Sequence, residues 1–168
     1  MSNAEIGLVC DPHVFFGDLV AREMQRERFQ NLLVREFLSE LCTNFMCATD
    51  RFHVFYAPSE AALALELPEA EWGKLEIIGE RLLFGVGFFP ESFEARGKRL
   101  VGLPYYIGVE KAIAGKLSQW SERWWEVDHA FSTTIKVLNH VRSRVSLSGF
   151  QIVRIGEDVE EIAPLAFF

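Results

Sequence analysis

The sequence predicts a mainly α-helical protein, one domain built as a bundle of about five to seven helices, with a short β-hairpin as an option at the C-terminal end. Three observations carry this. Apolar residues recur at steps of three and four through most of the chain, which is the helical period. Prolines stand where helices would begin (Pro12, Pro58, Pro68, Pro104) rather than inside them. A chain of 168 residues, 49% hydrophobic with 15 Phe and 4 Trp, supplies a core without disulfides or a structural metal. No repeat, low-complexity tract or flexible linker divides it. Residues 1–168 are therefore expected to form a single helical domain, with 1–10 irregular and 149–168 a tail.

Asp11-Pro12 is a helix start: the carboxylate can cap open backbone N–H groups, and proline fits the first turn, where its missing N–H is not needed. The stretch from Pro12 to Ala48 is too long for one ordinary helix, so a break is expected in the charge-dense Arg26–Gln30. Its second part, from Phe29 to Met46, has a wide apolar arc and reads as a central helix buried on more than one side. Residues 52–56, Phe-His-Val-Phe-Tyr, are either extended or a helix end. Pro58-Ser59 starts a short helix through Leu67, and Pro68-Glu69 starts another that turns Trp72, Leu75, Ile78, Leu82 and Leu83 inward and ends among Gly85, Gly87 and Pro90.

Residues 90–103 read as a loop or short turns. Pro104 opens a helix holding Tyr105, Ile107, Val109, Ile113 and Leu117. The cleanest amphipathic pattern runs from Ser121 to Val145 and is expected to be one helix. Beyond it, Gln151–Ile155 alternates with β-type residues and Val159–Ile162 is a candidate partner strand.

The net charge of −7 works against a phosphate backbone, so nucleic acid is not the expected partner; Arg96, Lys98 and Arg99 are the one short cationic run and read as a solvated loop. No apolar stretch approaches the ~20 residues that span a bilayer. The start lacks a basic segment and an apolar export segment, and Gly7-Leu8-Val9-Cys10 fails as a lipoprotein box because a bulky Val precedes the cysteine. The expected location is the cytoplasm. Cys10, Cys42 and Cys47, an odd and low number, fit reduced thiols there.

Signatures of chemistry fail one by one. Gly79, Gly85 and Gly87 have the wrong order and context for a dinucleotide loop, and read as helix termination and close helix packing. Gly115-Lys116 lacks the rest of a phosphate loop, with Glu110 where its first glycine belongs. Among His13, His53, His129 and His140, the last two would lie ~16 Å apart on one helix, too far to share an ion. Glu126 and His129 have the spacing of a di-iron ligand pair, but no second pair exists. No nucleophile elbow occurs. Trp120, Trp124 and Trp125 read as core before they read as a stacking platform. No catalytic residue, metal ligand or cofactor is expected.

One segment, Gly79-Glu-Arg-Leu-Leu-Phe-Gly-Val-Gly-Phe-Phe-Pro-Glu-Ser followed by Tyr105-Tyr106-Ile107, resembles a bacterial family whose members read roughly G-D-x-x-L-F-x-x-G-F-F-P-E and then a double-tyrosine helix containing G-x-x-A-Y. The likeness covers residues 79–117, more weakly the preceding helices. Glu80 stands where Asp is usual, and Glu110 and Ala114 replace the later Gly and Tyr. The resemblance implies a helical bacterial cytoplasmic protein and carries no established activity.

Three functions follow as expectations. The first is a non-enzymatic binding or adaptor protein acting through protein–protein contacts with an unknown partner or in a homo-oligomer, with Phe167 and Phe168 as candidate docking residues. The second is a small-molecule sensor or enzyme. Its pocket would be lined by Phe84, Phe88, Tyr105 and Tyr106, with Glu80, Arg81 and Glu91 supplying polarity, although the same residues also read as plain core. A redox switch at Cys42 or Cys47 is a third, needing an exposed thiol.

Overall fold

The structure, a computed structural model, describes residues 11–46, 52–53, 58–94, 101–145, 150–154 and 160–164. Helix α1 spans Pro12–Arg26. Asp11 caps it by accepting from the His13 N–H at 2.9 Å, and Pro12 occupies the first turn. The expected break follows. Arg28 takes a left-handed φ of 55°, its N–H donates to the Gln25 carbonyl, and the Phe29 N–H reaches back to Met24 at 2.9 Å. This is the glycine-type helix stop, built here on an arginine. Asn31 then caps α2 (Leu32–Met46), accepting from the Val34 N–H at 3.1 Å.

A two-residue strand β1 (Phe52–His53) precedes α3 (Pro58–Ala64), which is shorter than the expected run to Leu67. A turn of 3₁₀ helix, Glu69–Glu71, leads into α4 (Trp72–Phe88), and a second, Pro90–Phe93, follows it. Then come α5 (Leu103–Leu117), α6 (Glu122–His129) and α7 (Phe131–Ser143). Strands β2 (Phe150–Arg154) and β3 (Glu160–Pro164) form an antiparallel hairpin, and β1 adds to the other side of β3, Phe52 opposite Ile162.

Two expectations need correction. The central helix is α4, not α2: every residue from Leu82 to Phe89 is buried, whereas α2 leaves Leu32 68% exposed and Leu33 38% exposed. The single helix over 121–145 is two helices, broken at Ala130 (φ −121°, ψ 36°), so His129 and His140 sit on different helices. The end of α4 at Phe88 falls among Gly85, Gly87 and Pro90, as expected.

The core forms where α4 meets α5 and α7. α1 lies on α2 and α7, and α6 spans α2 and α5. Close approach of α4 to its neighbours depends on glycine. A Cβ on Gly87 would sit 2.6 Å from the Leu138 Cβ, and one on Gly79 would sit 2.9 Å from the Ile113 Cγ2. The glycines thus do the close packing the sequence suggested. No helix among the described residues is long and apolar enough to cross a membrane.

Candidate functional site

The proposed aromatic pocket residues go to several places. Phe84 and Phe88 are fully buried on α4, stacked on each other at 4.5 Å, and Phe84 also stacks on Phe45 of α2 at 5.0 Å. Tyr106 is buried with its ring edge-on to Phe93 at 4.9 Å, and Tyr105, half-buried, stands edge-on to Tyr106. Glu91 is exposed and accepts a two-pronged pair of hydrogen bonds from the Arg142 guanidinium, both 2.7 Å. Arg81 is half-buried. Glu80 faces a different set of groups, at α6. Phe167, Phe168, Cys10, Cys47, His53's side chain and the run Arg96–Arg99 lie outside the described residues.

Around Glu80, four helices bring charge together. The Arg123 guanidinium of α6 lies 3.1 Å from Glu80, 3.3 Å from Glu76 and 3.6 Å from Glu40, and sits over the Phe37 ring at 4.7 Å. The buried indole of Trp124 donates to Glu76 at 2.9 Å. Next to this network is Glu110 of α5, with 0% exposure and no hydrogen-bond partner for either carboxyl oxygen. Burial, and then the charge of Glu80, push its carboxyl well above the usual carboxylate range. A buried acid stripped of water and partners neutralises rather than stay charged. Glu80 is raised as well, by burial first and by Glu76 next, while Arg123 pulls the other way. The result is a neutral acid behind a partly open acid–arginine network.

A second candidate lies on α1. Asp11, Val14, Phe15, Asp18, Arg22 and Arg26 fall three and four apart along one face and, with Leu19, Glu23 and Arg144, line a cleft of about 550 Å³. Val14 is 57% exposed and Phe15 43%. At the floor, Glu23 is buried to 1% exposure; its carboxylate lies 3.3 Å from Arg144 at the end of α7 and 3.9 Å from Arg26. That pairing fixes the arginine end of the cleft. Acids occupy the N-terminal half of the stripe and arginines the C-terminal half.

Other candidates resolve simply. Cys42 is buried, which removes it as an exposed thiol switch. Trp124 is core, but Trp120 and Trp125 are 51% and 46% exposed, and Trp125 stacks on His129 at 3.7 Å. Glu126 accepts from the Asn31 side chain at 2.7 Å, tying α6 to the start of α2, and the His129 Nδ1 sits 2.7 Å from the Trp125 carbonyl. No group of three or more potential metal ligands forms among the described residues. A smaller cleft at the α6–α7 break contains Lys111, which is engaged by Asp128.

Sequence reasoning missed Arg123 and Glu76 altogether and met Glu110 only as a misfit in other motifs. A signal for Glu110 was present: it is the one charged residue in the buried stripe Tyr106, Val109, Glu110, Ile113, Ala114, Leu117. Comparison with protein-family models, curated proteins and solved structures gives no match to this chain.

Proposed function

We propose that the protein is a non-enzymatic binding or adaptor protein of the bacterial cytoplasm, acting through protein–protein contacts made by α1. The observation that carries this is the exposed stripe of α1. It places two large apolar side chains, Val14 and Phe15, beside a cleft with charge of both signs at its margins. An apolar centre rimmed by charge is the anatomy of a contact surface. A photo-crosslinking residue in place of Phe15 tests it in living cells, with Leu63, exposed on α3, as the control position. A discrete adduct at position 15 and none at 63 is the expected result. Equal labelling at both, or none at 15, refutes the reading.

One observation favours a second reading, a small-molecule sensor or enzyme, with its site at Glu80 and Glu110 and not at the Phe84 and Tyr105 corner. Glu110 has unmet hydrogen-bonding capacity and lies electrostatically coupled to Glu80. Perturbed carboxyls of this kind concentrate at functional sites. A compound that raises the melting temperature of the native protein but not of Glu110→Gln would support it; equal shifts in both would reject it.

A further inference from the structure

We infer that the occupant of the α1 cleft is a second copy of this chain, docked antiparallel through its own α1. This rests on the reading of α1 as the contact face and names its partner. The stripe is self-complementary in one direction only. Asp11 and Asp18 lie toward its N-terminal end, Arg22 and Arg26 toward its C-terminal end, and Val14 and Phe15 between the two acids. A two-fold axis crossing the helix between Asp18 and Arg22 sets Asp18 against the partner subunit's Arg22, and Arg22 against the partner subunit's Asp18. The same register lays the aliphatic stem of Arg26 along the partner subunit's Val14, with its guanidinium free to reach the acid end.

Parallel pairing would oppose Asp18 to Asp18 and Arg22 to Arg22, which is repulsive. A uniformly acidic surface would meet Asp11 and Asp18, and a uniformly basic one would meet Arg22 and Arg26. The two-fold arrangement pairs Asp18 and Arg22 of each copy with their opposites, as a closed, isologous dimer requires. Arg144 adds fixity: it lies 3.3 Å from the buried Glu23 and so is held at the arginine end of the cleft before contact.

The size of the contact sets its strength. A helix of 15 residues is ~22 Å long at 1.5 Å per residue. One face of it, with Arg144, buries less than the ~800 Å² per partner of a standard interface, so the dimer is a weak one, with dissociation in the micromolar range or above.

Sedimentation velocity on the full chain from about 1 μM to about 1 mM spans that range. The mass is expected to rise from 19.2 kDa toward twice that value. Asp18→Arg alone and Arg22→Asp alone should each weaken association at least ~10-fold, the scale of a like-charge contact at an interface. The double variant D18R/R22D restores the pairing and should restore the dimer. Both positions are exposed, and an unchanged melting temperature confirms that the variants fold. A monomer throughout the range, or a dimer indifferent to the single charge reversals, overturns the inference. The mass of the crosslinked adduct at position 15 separates the two levels. Twice the chain mass supports self-pairing, an adduct of another mass removes it while leaving α1 a contact face, and no adduct removes both.

Discussion

Glu110→Met is expected to make the protein more stable, by a margin that grows with pH. Methionine keeps an unbranched chain of similar length and has no group that needs water. Glu110 has no accessible surface and no partner at either oxygen. Leaving a buried neutral polar group unsatisfied costs about 1–3 kcal/mol, and the substitution recovers that at acid pH, where the carboxyl is protonated in both states. Because burial raises the folded-state pKa, the fold holds a proton that the unfolded chain gives up above its own pKa of ~4.3. The contribution of this group is thus whole below that value and is lost as pH rises toward the folded pKa. Each unit climbed in that window removes about 1.4 kcal/mol from the native protein and nothing from the variant. For a chain of this length, 1 kcal/mol corresponds to about 2–4 °C in melting temperature. Thermal and urea unfolding at a series of pH values gives both quantities. Glu110→Gln separates them: it removes the widening gap but keeps most of the unmet hydrogen bonding. A native protein more stable than the methionine variant at neutral pH, or parallel pH curves for the two, would show that the carboxyl is charged and compensated, and the reasoning would fail.

Further expectations follow from single contacts. Gly87→Ala should destabilise by about 1–3 kcal/mol in urea unfolding, since overpacking of a close helix crossing costs that much and the new Cβ would lie 2.6 Å from the Leu138 Cβ. Arg28→Gly should stabilise by about 0.5–1 kcal/mol, because a left-handed residue at a helix stop is easier for glycine; Arg28 is exposed, so little packing is lost. Arg123→Gln should destabilise by about 1–3 kcal/mol at neutral pH, leaving Glu40, Glu76 and Glu80 to repel one another. That loss should shrink on acidification, because burial raises the Glu80 carboxyl and its protonation relieves the repulsion, which paired melting curves at two pH values would reveal.

Helix starts were legible because they rest on local chemistry. Asp11-Pro12 caps α1 as its two residues dictate, and the stop before Phe29 falls in the charged segment where it was expected. The break at Ala130 was not legible. The apolar stripe from Trp124 to Val141 keeps its period straight across it, with neither proline nor glycine at the break. What divides the stripe is tertiary: α6 packs on α5 and α2, whereas α7 packs on α4 and α1, and one straight rod cannot face both walls. The rank of the helices was misread for a related reason. A wide apolar arc on α2 suggested a central helix buried on more than one side, yet Leu32 and Leu33 remain exposed, and α4 becomes central because Gly79 and Gly87 let two neighbours approach it. At the charged network, the glutamates of α4 and the arginine of α6 are more than forty residues apart in sequence, so no spacing rule could join them.

The two functional readings make opposite demands on Glu110, and that decides between them. A protein that acts only through α1 has no use for an unsatisfied acid in the α4–α5 seam. For such a protein the residue is a cost, offset by packing elsewhere, and Glu110→Met should leave the crosslink at position 15 and the self-association of α1 at native levels. A site that uses Glu80 and Glu110 cannot lose the carboxyl, because proteins keep destabilising polar groups where function requires them. Cells carrying Glu110→Met as their sole copy therefore report on the choice. A phenotype matching deletion, from a protein shown to be more stable and still crosslinked through α1, would assign the function to the acid pair. An undisturbed phenotype, together with loss of function in Phe15→Glu, would assign it to the α1 surface.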